Sequence, residues 1–136
     1  SASYTSPNDR IEHVNDQTIA FTRYSRNRWT AYGSPNEWDW VQIDFGERKT
    51  VGTLELYLWG DDERGMRAPK QYTVQYWDGE AWTDAHVRSR TPLEPTASAL
   101  NTVTLDPVVT DKMRVVFEHD LPAFTAVTEL MVWEEQ

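Results

Sequence analysis

The sequence predicts an all-β fold, a β-sandwich, from three observations. Apolar and polar residues alternate with a period of two in several short segments, whereas helical periodicity is almost absent. The segments between them are rich in Pro, Gly, Asn and Asp, which favour turns. Many short strands joined by such loops are typical of a β-sandwich.

The first half of the chain contains two predicted strands. Residues 40–46 alternate and end at Gly46, which we expect to terminate the strand. In residues 51–59, every second side chain is a leucine that faces one side of the strand: Leu54, Leu56 and Leu58. Trp59 points to the opposite side, together with polar residues. The pattern therefore predicts that the leucines face the core and that Trp59 lies on the wetter face.

The second half predicts four further strands, at residues 72–77, 103–105, 113–117 and 127–133. Asp78-Gly79 follows the first of them and precedes Ala81-Trp82, so we expect a hairpin there. Asp106-Pro107 is expected to close the strand that ends at residue 105, because proline cannot donate to a sheet ladder.

The composition indicates one acidic domain with a sizeable core. The 136 residues carry a net charge of −9, which makes nucleic acid and anionic membrane surfaces poor partners. There are no cysteines, so disulfides and thiolate metal sites are excluded. No apolar run approaches the ~20 residues of a membrane helix, and we expect no membrane insertion. The first residues contain no signal peptide and no initiating Met, so we expect residues 1–136 to be a single module of a larger multidomain protein.

Catalytic motifs are not apparent. The three histidines are isolated in sequence, and no nucleophile elbow or phosphate-binding glycine loop occurs. Adjacent carboxylates, as at Asp61-Asp62, face opposite sides of an extended strand and do not form a natural acid–base pair. Carboxylates from different loops could still meet, so a small glycosidase is the least favoured alternative. We expect a domain that is not an enzyme.

A series of motifs occurs in a fixed order: Arg28-Trp29-Thr30, Trp38 to Gly46, Tyr57 to Asp62, Arg67-Ala68-Pro69, Tyr72 to Trp82 and Glu129-Leu130. In this order they resemble the discoidin-like (coagulation-factor type-C) domains, and especially the family 32-type carbohydrate-binding modules appended to bacterial polysaccharide-degrading enzymes. The resemblance extends from about Tyr4 to Trp133. It implies a jelly-roll β-sandwich of the galactose-binding-domain type and a non-catalytic role in binding carbohydrate.

The candidate sugar-binding residues cluster around the loop after residue 59. An aromatic ring on the wetter face can stack on the apolar C–H face of a sugar, and we expect Trp59 to do so. Carboxylates and a guanidinium can hydrogen-bond to sugar hydroxyls, which is the role we expect for Asp61, Asp62 and Arg67. The alternative is a solvated, salt-bridged loop.

Four further residues are candidates for the same site: Tyr32, Trp38, Arg28 and Phe124. Tyr32 and Trp38 lie in a polar loop, where aromatic side chains often serve binding, although either could instead cover the core. Phe124 lies in the last loop. The resemblance implies Arg28, which matches the family's arginine before the aromatic residue and could reach the same site. Four other tryptophans are instead expected at core or framework positions: Trp29, Trp40, Trp77 and Trp82.

The resemblance also implies one structural calcium ion, with Asp16 and Glu129 as ligands. Gln17 stands where the family typically has glycine after the aspartate. Glu129 lies inside the apolar stretch 127–132, where a buried carboxylate needs a compensating partner. A hard cation such as Ca²⁺ is one such partner, and an arginine is the other.

Three interpretations of the function remain open. The first is a carbohydrate-binding module of an exported enzyme, a glycoside hydrolase or polysaccharide lyase, acting outside the cell, in the periplasm or on the cell surface. Its partners would be a poly- or oligosaccharide and the neighbouring catalytic domain. The second is a structural β-sandwich that packs on that catalytic domain and binds no ligand. The third, a protein- or lipid-binding domain, is disfavoured by the acidic charge.

Overall fold

The computed structural model describes residues 1–6, 29–61, 63 and 65–134. The predicted all-β fold is confirmed. The described residues form seven strands: β1 (Trp29–Thr30), β2 (Trp38–Trp59), β3 (Gln71–Trp77), β4 (Trp82–Asp84), β5 (Val87–Thr91), β6 (Ala99–Glu118) and β7 (Ala126–Glu134). In these ranges, no helix combines the length and hydropathy needed to span a membrane.

Two long antiparallel strands, β2 with 22 residues and β6 with 20, organise the sheet. The strand order is β1-β7-β2-β6-β3-β4, and β5 also pairs with β6. The pairing of β2 with β6 changes register between Asp44 and Lys49. Before this break, β6 also pairs with β3, and after it, β2 also pairs with β7. Side chains from both halves of β2 and β6 enclose one apolar core.

The predicted alternation is confirmed where it defines the core. Leu54, Leu56 and Leu58 are at most 1% exposed. The predicted hairpin is also present, because Trp77 pairs with Trp82 and the N–H of Asp78 donates to the carbonyl of Ala81 at 3.1 Å.

The predicted ends at Gly46 and Asp106-Pro107 are wrong, since β2 and β6 each continue through these turn residues. Gly46 has a φ of +75° and lies inside the first register break, where a bulge accepts such a conformation. Pro107 lies between Thr104 and Val108, which pair with β2 on either side of a second break. A proline is tolerated at a bulge because its missing N–H is not needed there. Gly46 and Pro107, which are residue types typical of turns, therefore mark register breaks within strands.

Candidate functional site

The expected exposure of Trp59 is wrong. Trp59 ends β2 and is 1% exposed, packed with Met66 and Ala126, and Phe124 lies against this small cluster. Alternation does place Trp59 on the face of β2 opposite to that of Leu58, but the loop that follows covers this face. A ring this deeply buried has no face for a sugar to stack on, so Trp59 supports the loop from below.

Three backbone segments lie side by side over Trp59. The N–H of Asp61 donates to the carbonyl of Met66 at 2.9 Å, and the N–H of Met66 donates back at 3.0 Å. The N–H of Phe124 donates to Gly65, and the N–H of Arg67 donates to the carbonyl of Phe124. This short ladder gives the end of the sandwich a defined backbone. It holds two predicted binding residues, Asp61 and Arg67, beside a third, Phe124.

A cavity of about 500 Å³ lies beside this ladder. Its lining combines backbone turns, small apolar residues and three charged side chains: Gly60, Asp61, Met66, Arg67, Ala68, Pro69, Pro95, Ala97 and Asp120. We call it the loop-end cavity. Carboxylates accept and a guanidinium donates hydrogen bonds, so Asp61, Asp120 and Arg67 can together bind a molecule rich in hydroxyl groups.

Asp120 and the segment 95–97 were not anticipated as part of the site. They reach the cavity from the end of β6 and from the connection between β5 and β6. Their sequence positions are far from residues 60–69, and only the pairing of the strands brings them there. An acidic residue three positions after the predicted strand 113–117 is the local signal that could have indicated Asp120.

An aromatic pair, of which Tyr32 is exposed and Phe124 is half-buried, lies next to the loop-end cavity. The rings of Tyr32 and Phe124 meet edge to face, with centroids 5.9 Å apart, and Tyr32 is 52% exposed. A Cβ atom on Gly65 would lie 3.6 Å from Cε2 of Tyr32, so the tyrosine ring lies beside this glycine. Arg67, which lines the cavity, is two residues further along the same segment. The structure thus places Tyr32 and Phe124, both predicted sugar-binding residues, in contact with each other.

Trp38 is also exposed, and it lies on a different element, β2. It begins β2, pairs with Glu118 and is 41% exposed. Its neighbour Asp39 is fully buried, so Trp38 points away from the core. The remaining predicted residues, Asp62, Arg28 and Asp16, lie outside the described residues, and their roles stay predictions.

A buried histidine beneath the aromatic pair was missed from the sequence. Nε2 of His119 lies 2.7 Å from Oδ2 of Asp39, and Nδ1 lies 2.9 Å from Oγ1 of Thr125. The imidazole ring meets the ring of Phe124 edge to face at 5.6 Å. His119 is isolated in sequence because its carboxylate partner is 80 residues away. Its environment therefore appears only in the folded chain.

Asp39 connects this histidine to the polar loop that carries Tyr32. Its Oδ1 accepts hydrogen bonds from Oγ of Ser3 at 2.7 Å and from Nδ2 of Asn36 at 2.9 Å. Burial raises the pKa of Asp39, but the hydrogen bonds from His119, Ser34, Asn36 and Ser3 hold it below its ordinary value. An ionised carboxylate thus joins two loops of the candidate site.

Glu129 fits one requirement of the predicted calcium site. It lies on β7 opposite Tyr57 and is 1% exposed. Burial, a hydrogen bond to Glu55 and the charges of Glu55 and Glu129 raise the pKa of Tyr57. A buried carboxylate is a suitable oxygen ligand for a hard cation. Among the described residues, however, no group of three or more His, Cys, Asp or Glu side chains is arranged to hold a metal.

The fold and the cavity define a β-sandwich domain with a concave polar site at one end. The family model of the F5/8 type C domain matches residues 1–130. The chain therefore belongs to the F5/8 type C, or discoidin-like, family, and the resemblance noted in the sequence is confirmed.

Solved structures share this fold. A chain of the Streptococcus pneumoniae β-galactosidase BgaA aligns with a TM-score of 0.89 and 23% identity, over 98% of this chain and 90% of that chain. The family 32 carbohydrate-binding module of C. perfringens NanJ, in complex with galactose, aligns with 0.73 and 18%, over 98% and 91%. A chitosan-binding module from Paenibacillus sp. IK-5, in complex with chitotriose, aligns with 0.71 and 18%, over 98% and 93%. The expected galactose-binding-type sandwich is confirmed, and the domain is similar in fold to carbohydrate-binding modules.

Proposed function

We propose that this domain is a non-catalytic carbohydrate-binding module whose sugar site is the loop-end cavity. The observation that carries the proposal is the convergence of Asp61, Arg67 and Asp120 on one cavity, with an exposed tyrosine beside it. Family membership supports the proposal, as do fold relatives that bind galactose and chitotriose.

The chemistry divides between two parts of the site. The exposed face of Tyr32 would cover the apolar C–H face of one sugar ring, with Phe124 holding the tyrosine from its edge. The carboxylates of Asp61 and Asp120 would accept hydrogen bonds from sugar hydroxyls. The guanidinium of Arg67 would donate to hydroxyl or ring oxygens. Tyr32 thus takes the stacking role that was expected of Trp59.

The biological use we propose is tethering. A module of this kind keeps an attached glycoside hydrolase or polysaccharide lyase close to its substrate, which raises the effective concentration of that substrate. Such enzymes act on polysaccharides outside the cytoplasm, so we propose export to the periplasm, the cell surface or the medium.

Packing on a neighbouring domain is the second candidate. Trp133 on β7 is 52% exposed, although it is a large aromatic residue away from the loop-end cavity. A partner domain would cover it without using Asp61, Arg67 or Asp120. Substitutions at Asp61, Arg67 or Asp120 should therefore impair sugar binding, whereas a substitution at Trp133 should impair domain packing.

We also propose a structural calcium ion held by Glu129 and Asp16. Bound calcium would neutralise the buried carboxylate of Glu129 and stabilise the fold. Thermal unfolding with excess CaCl₂ and then with EDTA tests this directly. A lower midpoint in EDTA for the wild type, and no calcium response in Glu129→Gln, is the expected result. An identical midpoint in both conditions contradicts the calcium site.

Isothermal titration with galactose, galacturonic acid and glucosamine tests the proposed function. Arg67→Gln should weaken binding of the responding sugar, because it removes the guanidinium from the cavity. Arg88→Gln, an exposed arginine of β5, is the matched control and should bind as the wild type does. Equal affinity of the Arg67 variant and the wild type would reject the assigned site. A folded protein that binds none of these sugars or their polymers would favour the second candidate, packing on a neighbouring domain.

A further inference from the structure

Four of the seven tryptophans lie on one outward face of the sheet: Trp38, Trp40, Trp77 and Trp82. On β2, the intervening residues Asp39 and Val41 are fully buried, so Trp38 and Trp40 point outward. Trp77 follows the core-packed Tyr76 and pairs with Trp82. These four rings are half-buried or exposed, whereas Trp29 and Trp59 are fully buried. This face therefore concentrates aromatic surface where the core does not require it.

A cation and two polar side chains lie between these rings. The guanidinium of Arg114 lies 4.4 Å from the centre of the Trp82 ring and 5.6 Å from that of Trp40. Its Nε donates to Oε1 of Gln75 at 2.7 Å, and Nε2 of Gln75 donates to Oδ1 of Asp84 at 2.8 Å. We call Trp38, Trp40, Gln75, Trp82, Asp84 and Arg114 the outer-face tract. The contacts hold its arginine and amide in place before any ligand arrives.

The outer-face tract begins beside the loop-end cavity. Trp38 pairs with Glu118, whose Oε1 accepts a hydrogen bond from Nε2 of Gln71 at 3.2 Å. Asp120, two residues after Glu118, lines the cavity, and so does Pro69, two residues before Gln71. The same two strands, β6 and β3, thus connect the cavity to the tract. A chain that leaves the cavity along these strands would meet Trp38 first and Trp40 next.

We propose that the outer-face tract binds further sugar residues of the same glycan chain whose first residue occupies the loop-end cavity. This inference rests on the proposed function and adds that the ligand is an internal or extended stretch of an oligosaccharide. Each sugar residue presents an apolar C–H face and a rim of hydroxyls. Alternating indole rings with guanidinium, amide and carboxylate groups match both features.

A protein partner fits the tract less well. The core of a protein interface favours Trp and Arg but is depleted of Asp, Glu and Lys. Here the carboxylate of Asp84 accepts a hydrogen bond from Gln75 within the tract, and the polar Thr73 occupies a neighbouring outward position on β3. Such interleaving leaves a polar group next to each ring, as a hydroxyl-rich ligand requires.

The test compares each sugar with its own oligosaccharide. The probes are galactose and β-1,4-galactohexaose, galacturonic acid and its hexamer, and glucosamine and its hexamer. For the sugar that binds, we expect the hexamer to bind roughly tenfold more tightly than the monomer. Trp40→Ala and Arg114→Gln should abolish this gain and leave the affinity for the monomer unchanged. Arg114→Gln keeps both indoles in place, so it tests the tract even if Trp40→Ala fails to fold.

Trp133→Ala, an exposed tryptophan outside the tract, is the control and should keep the gain. A gain that survives in both folded tract variants, or equal affinities for monomer and hexamer in the wild type, would overturn the tract and leave the cavity proposal intact. If the tract variants change the oligomeric state of the domain and leave its glycan affinity unchanged, the tract is a protein interface and the proposal is overturned. If the folded wild type binds no monomer and no hexamer, the proposed function fails and this inference fails with it.

Discussion

Nε2 of His119 lies 2.7 Å from Oδ2 of Asp39, with both side chains fully buried, and this contact joins the end of β6 to the start of β2. His119 contacts the ring of Phe124, which in turn contacts the exposed ring of Tyr32. Through Thr125 and Asn36, the pair of His119 and Asp39 also contacts the loops on either side. The stability of the candidate site should therefore depend on a polar contact that no ligand touches.

Removing the imidazole should destabilise the domain strongly. His119→Leu removes the imidazole that contacts Oδ2 of the buried Asp39, and leaving a buried polar atom without its partner costs about 1–3 kcal/mol, more where the group is charged. Urea unfolding measures the loss. His86→Leu is the matched control, since His86 is highly exposed and its replacement should change the free energy of unfolding by less than about 1 kcal/mol. Similar losses in the two variants would contradict a special role for the buried histidine.

Acid should weaken the fold partly through Asp39. The folded pKa of this carboxyl lies below its ordinary value of 3.8, so the folded state binds its proton less readily than the unfolded state. The stabilisation is therefore complete above that value and is lost as the pH falls through the folded pKa. Urea unfolding from neutral to strongly acidic pH should show a shallower acid dependence in Asp39→Asn than in the wild type. Parallel pH profiles would contradict this assignment.

Trp59 should contribute to stability through burial. Trp59→Ala removes the centre of the small cluster with Met66 and Ala126, which should cost about 3–5 kcal/mol. Trp133→Ala removes a half-exposed tryptophan and should cost much less. Thermal or urea unfolding of both variants measures the difference. A stable Trp59→Ala protein that merely fails to bind sugar would restore the direct binding role.

Tyr32 should affect binding without affecting folding. Its ring is 52% exposed and touches Phe124 by an edge, so Tyr32→Ala should unfold close to the wild-type midpoint. Loss of one stacking ring should weaken sugar binding roughly five- to tenfold. Titration calorimetry measures the affinity, and circular dichroism checks the fold. Unchanged affinity in a folded variant would remove Tyr32 from the site.

Gly65 and Gly46 offer a matched comparison of backbone strain. Both have positive φ, +74° and +75°, so a Cβ atom should cost about 1–2 kcal/mol at either position. Only Gly65 lies beside the Tyr32 ring, whereas nothing lies within 4 Å of a Cβ on Gly46. Gly65→Ala should therefore weaken both stability and sugar binding, and Gly46→Ala only stability. Equal effects on binding would show that Gly65 has no local influence on the site.

Period-two alternation predicted the sandwich because it records which side of a strand faces the core. It predicted the burial of Leu54, Leu56 and Leu58 correctly. It failed for Trp59 because alternation does not record what covers the opposite face. The two segments that carry Met66 and Phe124 reach that face through loop pairing, which leaves no periodic signal in the sequence.

Candidate residues from one continuous segment were easier to predict than those from distant segments. Asp61 and Arg67 line the cavity as expected, because the loop that holds them follows a clear strand. Asp120 reaches the same cavity from the other end of the sheet, and His119 finds its partner 80 residues away. Both placements depend on the register between β2 and β6, which no local pattern specifies.

Amide chemical-shift mapping of the wild-type domain can show whether a sugar binds in the loop-end cavity. On titration with galactose, galacturonic acid and glucosamine, we expect saturable shifts for the amides of Asp61, Arg67 and Asp120 with the sugar that binds. The amides of Asp78 and Gly79, at the other end of β3, should not move. Saturable shifts confined to that other end, or to the surface around Trp133, would show that the sugar binds outside the loop-end cavity.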